Sequence, residues 1–83
     1  MSSINTQDIL NVINRVIREE KGSRVKLEDK LQSANLDSFG YTVLFLNLDD
    51  KYGIFNDIPE DVDPFSTIDW KTITVQEVIN KCL

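Results

Sequence analysis

The chain has 83 residues, 41% of them apolar and 28% charged, with a formal net charge of −5. That length makes one domain with a modest core, and that balance excludes a disordered chain. Residues 1–36 sum to +1 and residues 37–83 to −6, so the second half repels nucleic acid and steers basic partners.

Residues 1–5 read as a frayed lead-in. Thr6 is a candidate N-cap, with Asp8 in the first turn to suit the helix dipole. Ile9, Val12, Ile13, Val16 and Ile17 follow the spacing of one apolar helix face, and Asn11, Asn14, Arg15 and Arg18 fall on the other. The spacing predicts an amphipathic helix of about four turns, ended by Gly22 and Ser23.

Residues 21–36 form a long polar connection. Val25, Leu27 and Leu31 are spaced too irregularly for a helix and are expected to pin this loop onto the core. Loops of this length in small domains tend to be functional. Two readings stand: a plain crossover, or a segment that delivers the chain to Ser38.

A second helix is expected over residues 38–52. Asp37 is the natural N-cap, and Leu36 can staple onto Tyr41. Leu44, Phe45, Leu48 and Tyr52 make a core stripe, whereas Val43 and Leu46 fall away from it. A helix apolar over so much of its circumference is either central to its bundle or keeps a face for a partner, and partner contact at Val43 and Leu46 is the favoured reading. Gly40 costs about 1 kcal/mol of helix stability relative to Ala, and its missing side chain is read as leaving room beside Ser38. Gly53 is the expected C-cap. Asp49 and Asp50 oppose the helix dipole there, which hints at a use outside the helix, with a solvated helix end as the blander account. A calcium loop does not fit: with Gly53 at its sixth position, Pro59 would stand where a ligand is needed.

Residues 54–62 read as a loop carrying Asp57, Glu60 and Asp61. Asp63 and Pro64 are a helix-start pair and predict a short third helix over residues 64–68, with Phe65 and Ile68 inward and Trp70 packing over the core edge. Thr74 to Glu77 form a capping box for a last helix, with Ile73 and Val78 at the staple positions and Thr72 as a rival cap. Its buried face is Val75, Val78 and Ile79, extended by Cys82 or Leu83. The sum is an all-α domain, a small four-helix bundle with three longer helices and one short one.

The chemistry available is narrow. The chain has no histidine, and so lacks the commonest general base and any His-assisted triad or zinc site. Its one cysteine, Cys82, forms no internal disulfide, which fits a reducing compartment. At the C-terminal end it reads as a packing residue rather than a nucleophile. Asp37 and Ser38 are neighbours at a helix start, which does not aim one at the other as base and nucleophile. A phosphate ester on Ser38, however, would sit at the positive end of a helix. No leader pattern and no membrane-spanning apolar run is visible, and a cytoplasmic protein with no membrane contact is expected.

The run Leu36, Asp37, Ser38, Phe39, followed by Leu44, Phe45, Leu48, Asp49, Asp50, Tyr52, Gly53 and Ile54, resembles the acyl and peptidyl carrier protein family. The likeness extends to the first helix, the long loop, Ile58 with Pro59, and Ile73 to Gln76. It implies that Ser38 bears 4′-phosphopantetheine, delivered from coenzyme A by a phosphopantetheinyl transferase. The arm's thiol would carry an acyl or aminoacyl group as a thioester, and the protein itself would not be an enzyme. Partner contacts implied by the resemblance fall on Asp37, Phe39, Val43, Leu46 and Asp50, which would meet a loading ligase and acyl-transferring enzymes. Gly40, and Phe65 through Trp70, look like the D-alanyl carrier proteins, and the apolar docking face suits a specialised, free-standing, monomeric carrier. The alternative is a helical interaction module of the same shape with no prosthetic group.

Overall fold

The structure, a computed structural model, describes residues 5–83. Helix α1 spans Thr6–Glu19 and buries Ile9, Ile13, Val16 and Ile17 along the expected face. Its cap is Asn5 rather than Thr6. The Asn5 backbone is extended and its side chain accepts the Asp8 N–H at 2.8 Å. Asn is at least as good a cap as Thr, and using it lets Thr6 join the first turn. The lead-in expected over residues 1–5 is thus corrected at Asn5, and residues 1–4 lie outside the described residues.

The end of α1 also differs from expectation in its detail. Lys21, not Gly22, takes the left-handed conformation, at φ 64°. The Lys21 and Gly22 N–H groups donate to the Arg18 and Ile17 carbonyls at 3.0 and 2.8 Å, which closes the helix with a Schellman pattern. Gly22 serves by its size. A Cβ there would stand 2.5 Å from Leu36 Cδ2 and 2.7 Å from the Ala34 carbonyl oxygen. The glycine lets the chain return against the segment that leads into the next helix.

Residues 21–36 are pinned as expected by Val25 and Leu31, both buried, with Leu27 half-buried. Polar links do as much. Asn14 of α1 is not a solvated outer-face residue: its Nδ2 donates to the Val25 carbonyl at 3.0 Å, and its Oδ1 accepts the Val25 N–H at 2.9 Å. One side chain thereby occupies both backbone groups of a loop residue. Farther along, the Leu31 N–H donates to the Ile73 carbonyl, and the Val75 and Gln76 N–H groups donate to the Asp29 and Leu27 carbonyls. An isolated antiparallel bridge joins Lys30 and Thr74. A 3₁₀ turn over Leu31–Ala34, absent from the sequence reading, inserts Leu31 and Ala34 into the core. One turn shows too little periodicity to be read from sequence.

Helix α2 spans Ser38–Tyr52, with Asp37 and Gly53 as its caps. Its core stripe is Leu44, Phe45 and Leu48, with Tyr41 buried above it and Tyr52 half-buried below. Gly53 sits at φ 66° and donates its N–H to the Asp49 carbonyl at 2.8 Å. Helix α3 spans Val75–Cys82 and buries Val75, Val78, Ile79 and Cys82. Thr74 is its cap, ahead of the rival Thr72, and the capping box with Glu77 is complete.

The segment expected as a third helix is a single 3₁₀ turn, Pro64–Thr67. It starts as the sequence indicates, with the Asp63 carboxylate accepting the Phe65 N–H at 3.0 Å. The Ser66 and Thr67 hydroxyls then donate to the Asp63 and Pro64 carbonyls, and Ile68 turns extended. Ile68 is buried and Phe65 half-buried, its ring edge-on to Phe55 with centroids 5.4 Å apart. The described residues thus make a mostly helical domain with three α-helices and no strand. The shared element is α1, which packs against both α2 and α3. A radius of gyration of 12.1 Å is that of a close-packed chain of this length. No described helix is long and apolar enough to cross a membrane.

Candidate functional site

Ser38 is the first residue of α2 and is exposed. The turn that carries it is built by its neighbours. Asp37 Oδ1 accepts the Gly40 N–H at 2.7 Å, and the Asp37 carbonyl accepts the Tyr41 N–H at 3.1 Å. Asp37 is therefore committed to the cap, facing along the backbone of its own helix rather than serving as a base for Ser38. The N–H groups of Ser38 and Phe39 have no carbonyl four residues back inside the helix. Together with the helix dipole they make the space around Ser38 favourable to negative charge.

Tyr41 holds this end of the helix in place. Its hydroxyl lies 3.1 Å from the Leu31 carbonyl and 3.3 Å from the Gln32 carbonyl, to which it donates, and it accepts the Leu36 N–H at 3.4 Å. The ring stacks on Trp70 with centroids 5.4 Å apart and planes at 21°. Trp70 thus covers the core edge as the sequence suggests. Tyr41 was legible as an apolar staple partner but not as a polar anchor. The available signal was that a buried tyrosine hydroxyl needs a partner.

Gly40 does not open space beside Ser38. It is buried, and a Cβ there would stand 3.0 Å from Leu36 Cβ and 3.3 Å from Asp37 Oδ1. The missing side chain is filled from within by Leu36, so the expectation of room for an approaching group is corrected. The glycine allows Leu36 to lie on the first turn of α2.

Phe39, Val43, Leu46 and Asp50 recur at helical spacing and form one stripe along α2, running away from Ser38. Phe39 is 71% exposed and Leu46 52%, both large apolar groups facing solvent. Asp50 is exposed as well. Val43 departs from the expectation of a free contact residue: it is half-buried and packs against the core. Asp49, whose opposition to the helix dipole hinted at a use outside the helix, has a local one: its Oδ1 accepts the Phe55 N–H at 3.0 Å and ties down the loop after the helix. Val62, 37% exposed, was not singled out in the sequence, where one valine in an acidic loop carries no periodic signal.

Cys82 lies apart from Ser38, in the last turn of α3. It is buried, its Sγ lies 3.5 Å from the Val78 carbonyl, and burial pushes its thiol up to about 11. It is a packing residue. Burial likewise raises the Tyr52 phenol, with smaller contributions from the charges of Cys82 and Asp8 and a partial offset from Arg15. Among the described residues, no group of three His, Cys, Asp or Glu is arranged to hold a metal ion.

No protein-family model, no curated protein and no solved structure matches this chain.

Proposed function

We propose that the protein is an acyl or aminoacyl carrier whose Ser38 hydroxyl is the attachment point for a 4′-phosphopantetheine arm. The observation that carries this reading is an exposed serine at the first position of α2, beside an exposed apolar stripe on the same helix. The residues fit such a group. The Ser38 side chain is exposed, so an ester on it displaces no neighbour, and its phosphate would lie at the positive end of the helix. When attached, the arm supplies a thiol that holds cargo as a thioester.

The chain's own part is presentation. Asp37 fixes the first turn through Gly40, and Tyr41 fixes that turn to the loop that precedes it. Phe39 and Leu46 offer apolar contact to a partner, with Asp37 and Asp50 at the edges to attract basic surfaces. Val43 contributes only its outer flank. On this reading the Pro64–Thr67 turn stands for the short third helix of a carrier-type four-helix bundle. The partners are a phosphopantetheinyl transferase, a loading ligase and acyl-transferring enzymes, met by a monomer that does no catalysis of its own.

Intact-protein mass spectrometry after incubation with coenzyme A and a broad-specificity phosphopantetheinyl transferase tests the reading. One added arm is expected on the wild type and none on Ser38→Ala. A folded wild type that stays unmodified would overturn it and favour an interaction module that uses the Phe39 and Leu46 face without a prosthetic group.

A further inference from the structure

The outer face of α1 carries a second feature, unrelated to Ser38. Asn11, Asn14, Arg15 and Arg18 of α1 and Gly22 and Arg24 of the following turn line a cleft of about 370 Å³. No carboxylate lines it, although the chain as a whole carries −5. Arg15 and Arg18 are three residues apart on one helix face, where like charges oppose each other. Arg24 adds a third charge from the loop. Its position is built: the double hydrogen bond between Asn14 and Val25 clamps the adjacent residue to α1. Gly22 makes this return possible, because a side chain there would collide with Leu36 and the Ala34 carbonyl.

Three exposed guanidinium groups around one concavity offer a multivalent anion several charged donors at once. Guanidinium groups are planar forks suited to paired oxygens, unlike the point charge of lysine. The volume falls at the small end of the range for small-molecule sites. We propose that this cleft binds a small polyanion of the phosphate-ester or pyrophosphate class, held by Arg15, Arg18 and Arg24.

Titration of ¹⁵N-labelled protein with sodium pyrophosphate, at ionic strength held constant with sodium chloride, tests the proposal by NMR. Saturable shifts are expected at the amides of residues 15, 18 and 22–25, with a Kd below about 1 mM. Arg18→Gln with Arg24→Gln should weaken binding at least tenfold while leaving the circular dichroism and the urea midpoint near those of the wild type. Ser38→Ala should bind as the wild type does. Shifts that never saturate, or equal affinity in the double arginine variant, would overturn the proposal. So would a polyglutamate peptide that binds the same face more tightly than pyrophosphate, which would assign the cleft to an acidic protein partner.

Discussion

Asn14 is the position at which a single substitution most directly tests how the long loop is held. Asn14→Ala removes a donor and an acceptor that meet the Val25 carbonyl and N–H at 3.0 and 2.9 Å. The site is partly buried, so water replaces part of what is lost. A hydrogen bond of this kind contributes about 1 kcal/mol net, and leaving its backbone partner unpaired adds to the cost. Two of them give an expected loss of about 2 kcal/mol. In a domain of this size that lowers the melting temperature by roughly 8–15 °C. Asn14→Asp should be at least as damaging at pH 7: it keeps an acceptor for the Val25 N–H but sets a carboxylate against the Val25 carbonyl. Urea unfolding followed by Trp70 fluorescence measures both variants, and hydrogen exchange at the Val25 amide locates the effect. If both variants stay within about 0.3 kcal/mol of the wild type, Asn14 does not clamp the loop and Val25 is held by burial alone.

Two further predictions address α2 and the C-terminal helix. Leu46→Gln should cost no more than about 0.5 kcal/mol, as expected for a surface position, and Val43→Ser about 1 kcal/mol, because Val43 is half-buried. Leu44→Ala should cost 2–5 kcal/mol on the scale of emptied core sites, so on the order of several times more. A Leu46 variant as damaging as the Leu44 variant in urea unfolding would refute the outward placement of the stripe. For Cys82, burial raises the folded-state value from 9.0 to about 11. Between those values the unfolded chain gives up the thiol proton first, so stability is complete below pH 9 and falls as pH rises through 11. By pH 10.5 the wild type should have lost about 2 kcal/mol more than Cys82→Ala. Parallel losses in the two proteins over that range would show that the thiol is not sheltered.

The proposed carrier role bears on how the α2 surface is read. Phe39 and Leu46 are the exposed apolar groups that the proposal assigns to partner contact. The Tyr41 anchor and the Asp37 cap both act on the turn that carries Ser38. A disturbance at Trp70 or Leu31 should therefore reach the Ser38 turn through Tyr41, without any contact to Ser38 itself.

The sequence alone determined the three α-helices and most of their caps. Apolar spacing repeats three or four times in α1 and α2, and Asp37, Gly53 and Thr74 with Glu77 act on backbone groups only a few residues away. Such local, periodic signals survive without knowledge of the fold. The same locality marked Ser38 as an exposed helix start. What only the tertiary structure decided were contacts between residues distant in the chain. Asn14 looks like a solvated polar residue until Val25 arrives beside it. Gly22 looks like a helix stop and Gly40 like open space beside Ser38 until Leu36 fills the space of their missing side chains. Val43 looks free until the flank of α2 meets the core, and Arg24 joins Arg15 and Arg18 only because the loop folds back. These features depend on which surfaces meet, and that is set by packing over the whole domain rather than by the spacing of residues along any one element.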